Sequence, residues 1–144
     1  MNEEDTLQRL RECSAGVKMG ITSLTDTLRE AEDSQLRNLL AESRNEHARI
    51  GLTVDGLLGA YGVPGKSPPK MAVGMSRMKT ALKLSVRPKD QTVAALVTDG
   101  CNTGVKSLSR HLNRCEGASN PASQAAKDLI DSELHLADSL RRYL

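Results

Sequence analysis

The stretch from Leu36 to Tyr61, LRNLLAESRNEHARIGLTVDGLLGAY, decides the predicted fold. Its apolar residues recur at alternating steps of about three and four, the spacing of a helix with one buried face. They are Leu36, Leu40, Ile50, Val54, Leu57 and Tyr61. Two positions in the same register, Ser43 and His47, are polar. A histidine on the core-facing side of a long helix is the first candidate for a functional residue.

The composition favours an all-α protein. The chain has 144 residues, which predicts one domain large enough to bury a hydrophobic core. It contains no Phe, no Trp and only two Tyr, and 26% of its residues are charged. This palette suits a helical bundle better than a β-sandwich or barrel, which draw on aromatic and β-branched residues.

The same composition bears on location. No segment approaches the roughly 20 apolar residues that span a bilayer. The acidic start, Met1 to Asp5, is unlike a secretory or transit signal. We therefore expect a cytoplasmic protein without a membrane span.

Periodicity and capping residues predict five helices, at about residues 5–31, 35–61, 69–86, 91–116 and 121–143. Asp5, Asp33 or Ser34, Asp90 and Asn120 are expected to cap four of them, and Gly62 is expected to end the second. The turn at 32–34 is so short that the first two helices must form an antiparallel hairpin.

The third predicted helix is a crossover. About 18 residues span roughly 27 Å as a helix, enough to return the chain from the end of the second helix to the start of the fourth. Helices two and four then run parallel, as in the long-crossover four-helix bundle of the ferritin-like class. An up-down bundle with a loosely packed fifth helix is the alternative.

Three segments carry a resemblance: Asp33 to His47, the helix from Asp90 to Glu116, and Glu133 to Leu140. In layout and helix register, nearly the whole chain resembles an uncharacterised family of bacterial ferritin-like four-helix-bundle proteins. The resemblance implies the fold, and it implies no function because none is assigned in the family.

Ferritin-like enzymes of similar layout hold two metals with one Glu from each of two helices and a Glu-x-x-His from each of the others. Here the residue three before His47 is Arg44, and the residue three after Glu133 is Leu136. We therefore expect neither a complete dinuclear metal site nor another cofactor.

Glu133 is the predicted partner of His47. Measured along their helices from one end of the bundle, His47 lies roughly 21 Å and Glu133 roughly 18 Å up. This predicts a buried polar pair, with Ser14 and Thr103 close by. Three alternatives stay open: a weak mononuclear metal site with His111 or His135 as a further ligand, a proton-accepting pair, or two residues that do not face each other.

Three cysteines, Cys13, Cys101 and Cys115, lack metal-site or disulfide spacing. On one helix, Cys101 and Cys115 would lie roughly 20 Å apart. We expect free, mostly buried thiols.

Charge is segregated along the chain. Lys66 to Lys89 contains seven positive residues and no acidic one, whereas the rest carries a net charge of −5. Arg77, Lys79 and Lys83 form a candidate surface for an acidic protein partner. The alternatives are a solvated face over a methionine stripe, a membrane surface, and nucleic acid, which the modest total charge and missing aromatics disfavour.

These observations predict a non-enzymatic structural or interaction module that self-associates, as a dimer or higher oligomer. The competing hypothesis is a metal-binding or oxidoreductase-type ferritin relative that uses His47 and Glu133.

Overall fold

The computed structural model describes residues 2–65, 78–79, 81–83 and 85–144. It contains four long helices and a terminal 3₁₀ turn. They are α1 (Glu3–Glu30), α2 (Ser34–Ala60), α3 (Lys89–Arg114), α4 (Asn120–Leu140) and η1 (Arg141–Tyr143). The described part of the chain holds no strand, so the predicted all-α class is confirmed.

The predicted crossover helix falls mainly outside the described residues. Only 78–79 and 81–83 of the predicted 69–86 are described as helical, and residues 85 and 86 lie beyond that helical part. Leu82 is 4% exposed and joins the hydrophobic core.

Two of the predicted caps are wrong because other side chains reach the free backbone amides first. Asn2 caps α1, since its Oδ1 accepts a hydrogen bond from Glu4 N at 2.9 Å. Asp5, the predicted cap, lies in the first turn and accepts from Gly117 N at 3.2 Å. At α4 the cap is Ser119 instead of Asn120.

Asp90 is also not the cap of its own helix. Pro88 stands at the start of α3 without a side-chain hydrogen bond. The carboxylate of Asp90 accepts from the backbone N–H groups of Glu32 at 2.7 Å and Asp33 at 3.0 Å. It therefore holds the α1–α2 turn. Asp33 caps α2, and Gly62 follows it with φ at +68°, both as predicted.

Contacts at the two ends of the bundle define the helix directions. At one end, the Asp33 turn bonds to Asp90 at the start of α3, and Tyr143 Oη donates to Asp33 Oδ2 at 3.0 Å. At the other end, Asn2 N donates to Gly117 O at 2.7 Å. The helices therefore form two antiparallel hairpins, α1–α2 and α3–α4, with α2 parallel to α3.

Around the bundle, the neighbours are α1 with α2, α2 with α4, α4 with α3, and α3 with α1. The parallel helices α2 and α3 are diagonal and make little contact, while α1 and α4 meet across the centre.

The core consists of two hydrophobic clusters, one towards each end. The cluster near the α1–α2 turn includes Leu24, Leu36, Leu40, Val97 and Leu136. The cluster near the α3–α4 loop includes Leu10, Val17, Val54, Leu108 and Leu129. On every helix the two sets are separated by about one or two turns, and this gap contains the polar residues described below.

The core register of α2 departs from the prediction at its end. Leu58 is fully buried, whereas Tyr61 is 42% exposed and Leu57 only packs against the core. None of the helices described is both long and apolar enough to cross a bilayer.

Candidate functional site

His47 and Glu133 face each other in the gap between the two hydrophobic clusters. Nε2 of His47 lies 2.7 Å from Oε1 of Glu133. His47 is 1% exposed and Glu133 is 9% exposed. The short, buried contact joins α2 to α4, two helices that are adjacent in the bundle but distant in sequence.

The second ring nitrogen of His47 is also occupied. Nδ1 lies 2.8 Å from the backbone carbonyl oxygen of Ser43, one turn earlier on α2. A carbonyl oxygen only accepts hydrogen bonds, so Nδ1 carries a hydrogen and donates it. Ser43 Oγ, at 3.5 Å from Nδ1, is too distant for a strong hydrogen bond. The imidazole therefore uses both nitrogens within the protein.

The surroundings of His47 favour its charged form. Burial by itself lowers the pKa of the imidazole, because it removes water from the cation. The hydrogen bond and negative charge of Glu133, the Ser43 carbonyl and the charge of Glu46 oppose this effect and leave the pKa raised above 6.5. The pair is therefore best described as an imidazolium hydrogen-bonded to a carboxylate.

Two glycines make room for this pair. A Cβ on Gly20 of α1 would lie 2.6 Å from Cδ2 and 2.8 Å from Nε2 of His47. A Cβ on Gly104 of α3 would lie 3.6 Å from the carboxylate carbon of Glu133, an ordinary contact. The imidazole thus packs directly on the backbone of α1, and only a glycine at position 20 permits this.

Cys101 is a further neighbour that sequence reasoning did not place at the pair. Burial, followed by the charge of Glu133 and a hydrogen bond with it, raises the pKa of the Cys101 thiol well above its ordinary value. The thiol is 3% exposed and stays protonated, so it is not a nucleophile. Its position three residues before Gly104, on the apolar stripe of α3, was the available signal.

Ser14 and Thr103 do not join the pair, contrary to the prediction. Ser14 is about 9 Å further along α1 than Gly20. Its Oγ lies against Gly65, whose Cβ, if present, would be 2.7 Å away. Thr103 is exposed and donates to Asp99 O at 2.9 Å.

The other two histidines also lie elsewhere. His135 is exposed on α4. Burial and the nearby charge of Arg9 lower the pKa of His111, which is half-buried near the opposite end of α3. Neither provides a further ligand beside His47.

Metal chemistry finds little support in this geometry. Among the residues that the structure describes, no group of three or more His, Cys, Asp and Glu side chains is arranged to hold an ion. The positions that would complete Glu-x-x-His patterns are the half-buried Arg44 and the core residue Leu136.

A second buried polar group lies at the other end of the bundle. Arg9 is 2% exposed, and its Nη1 donates to Ser123 Oγ at 2.6 Å. Its Nη2 donates to the carbonyl oxygen of Cys115 at the end of α3. A guanidinium at a helix C-terminus is favoured by the negative end of the helix dipole, so Arg9 connects α1 to the α3–α4 loop.

The predicted basic partner surface is only partly described. Lys79 and Lys83 are exposed, and Arg77 lies outside the described residues. Lys89, at the end of this segment, pairs with Glu30 of α1 at 3.3 Å.

We compared the chain with known proteins once this geometry was established. No protein-family model matches it, and no curated protein matches it either. A similar solved structure is the "Crystal structure of DUF305 fragment from Deinococcus radiodurans", with a TM-score of 0.76, 14% sequence identity, and coverage of 96% of this chain and 93% of that chain. At this identity the similarity shows the fold alone, an all-helical bundle shared with a domain of unknown function.

Proposed function

We propose that this protein is a non-enzymatic structural or interaction module with a ferritin-like bundle, and that it self-associates. The parallel α2 and α3, connected by the chain between residues 60 and 89, support the ferritin-like assignment, because a long crossover is characteristic of that class. The geometry of the buried pair supports the non-enzymatic assignment.

The observation that carries the proposal is that both nitrogens of His47 are already bonded. Nε2 is held by Glu133 and Nδ1 by Ser43 O, in a side chain that is 1% exposed. A metal ligand or general base needs a free nitrogen lone pair that faces a substrate or ion. Here the imidazole instead connects α2 to α4, a role in which a buried polar pair specifies which helices pack together.

One observation favours the competing function, a metal-binding or oxidoreductase-type ferritin relative. The Cys101 thiol interacts with Glu133, so nitrogen, oxygen and sulfur groups converge at one level of the bundle. Metal binding would require His47 to exchange its bond with Glu133 for an ion, and Cys101 to lose a strongly held proton.

Metal analysis of protein purified without chelator separates the two functions. We expect far less than one equivalent of iron, manganese or zinc in the wild type and in His47→Ala alike. His135→Ala, which removes an exposed histidine from α4, is the matched control. A stoichiometric metal that disappears only in His47→Ala would overturn the proposal in favour of the metal-binding function.

Light scattering at several protein concentrations tests self-association. We expect the mean mass to rise above that of the 15.6 kDa chain. A mass that stays at one chain throughout would remove self-association from the proposal.

A further inference from the structure

A groove of about 370 Å³ runs along the surface between α2 and α4. Its more buried lining consists of Ile50 and Ala125. The remaining lining residues are Glu46, Arg49, Thr53, Asp128 and Asp131. The groove therefore combines a small apolar floor with a charged rim, a combination found in surfaces that bind protein segments.

The rim has an excess of negative charge. It carries three carboxylates, on Glu46, Asp128 and Asp131, and one guanidinium, on Arg49. None of the four forms an ion pair within 4 Å of another described residue. Asp128 accepts one hydrogen bond, from Gln124 Nε2 at 2.8 Å, which leaves its charge uncompensated. A basic partner would therefore be attracted to this groove.

The same chain carries exposed basic residues on the opposite face of the bundle. Next to the exposed Lys79, Met78 accepts a hydrogen bond from Ser23 of α1 at 3.6 Å. Leu82 packs in the cluster that contains Leu24 of α1 and Val97 of α3. Since α2 and α4 form the other side of the bundle, Lys79 and Lys83 cannot reach the groove of their own chain.

We propose that the groove between α2 and α4 binds the basic surface of a second copy of this chain, with Lys79 and Lys83 facing the carboxylates of Asp128 and Asp131. The proposal deepens the proposed function, on which it rests, by naming the two surfaces that meet. The argument is charge complementarity between two faces that one molecule cannot bring together. Because the surfaces differ, the association is head-to-tail and continues into chains or closed rings.

Two neutralised variants test this arrangement by sedimentation velocity in low and high salt. One is Lys79→Gln/Lys83→Gln and the other is Asp128→Asn/Asp131→Asn; all four positions are exposed, so both variants should fold. We expect the wild type to associate at low salt, to weaken at high salt, and to lose about tenfold or more in affinity in each variant. Lys106→Gln/Arg110→Gln, an exposed pair with the same spacing on α3, is the matched control and should associate like the wild type.

A mixture of the two variants gives the sharpest result. The lysine variant keeps an intact groove and the aspartate variant keeps intact lysines, so the mixture should form dimers of one chain of each that grow no further. Longer assemblies in the mixture, or none, would overturn the head-to-tail arrangement.

The remaining outcomes separate this inference from the proposed function. Oligomers that persist unchanged in both variants would overturn the inference and leave self-association standing. Loss of association in the aspartate variant alone would overturn it in favour of another occupant of the groove. A wild type that is monomeric at all concentrations would overturn both the inference and the self-association.

Discussion

Gly20 of α1 lies directly against the imidazole of His47 on α2, so closely that a Cβ at position 20 would be 2.6 Å from Cδ2 of the ring. The same imidazole is bonded to Glu133 of α4 and to the backbone of its own helix. Three helices therefore meet at one side chain, in the gap between the two hydrophobic clusters. The position of His47 is determined by its neighbours on all of these helices.

Gly20→Ala should destabilise the protein by about 2 kcal/mol, because the new methyl group forces the imidazole away from Glu133. Gly56→Ala is the control: it is also within a helix, but a Cβ there meets nothing within 4 Å, so it should stabilise by about 0.5 to 1 kcal/mol. Urea unfolding measures both. An equal effect of the two substitutions would show that the close packing at Gly20 has no energetic consequence.

Glu133→Leu should cost about 3 kcal/mol, because it leaves the second nitrogen of a buried imidazole without a partner. The double variant His47→Leu/Glu133→Leu should cost clearly less than the sum of the two single changes, since neither polar group then remains. A double-mutant cycle by urea unfolding measures this coupling. Additive single costs would contradict a direct energetic link, and His135→Leu, at an exposed position of α4, should change stability by less than about 0.5 kcal/mol.

The pair should make stability depend on pH in one direction. The folded pKa of His47 is raised above the unfolded value of 6.5, so the folded state binds the proton more tightly. The stabilising contribution is complete below pH 6.5 and is lost as pH rises from 6.5 through the folded pKa.

The difference in unfolding free energy between the wild type and His47→Gln, measured across this range, isolates the effect. It should decrease with rising pH. His135→Gln should show no such trend relative to the wild type. A difference that stays constant or grows with pH would contradict the raised pKa.

One of the three thiols should react much faster than the other two. Cys13 and Cys101 are buried, and burial raises the pKa of Cys13 to about 12 and that of Cys101 further. Cys115 is half-buried. A thiol-reactive dye should therefore label one cysteine rapidly in the folded protein and all three in denaturant. The rapid phase should disappear in Cys115→Ser, and its persistence in that variant would show that a buried thiol is accessible.

Arg9→Met should lower stability by about 2 kcal/mol, because the carbonyl oxygen of Cys115 and the hydroxyl of Ser123 lose a buried donor. Arg9→Lys should recover little, since one ammonium group cannot reproduce the two-pronged contact of a guanidinium. Arg11→Met, at an exposed position on the same helix, is the control and should be nearly neutral. Equal unfolding midpoints for the two Met variants would contradict the structural role of Arg9.

Local patterns in the chain were sufficient for the helices and for the polar positions on their stripes. Periodicity places His47 on the buried side of α2, and helical rise places it near the level of Glu133. Both inferences use only spacing within one helix. The short turn at 32–34, with Asp33 as its cap, similarly determines the first hairpin. Capping was predicted less well, because the carboxylate of Asp90 bonds to a turn 57 residues away.

What only the tertiary structure decided are the contacts between helices. That Gly20 rather than Ile21 faces His47 depends on the rotation of α1 about its axis, which a shift of one residue changes by about 100°. The approach of Cys101 to Glu133 depends on how α3 packs against α4. The sequence by itself determined where polar residues enter the core, since helical periodicity is local. Only the packed bundle decided that both nitrogens of His47 are occupied, because that requires distances between atoms on different helices.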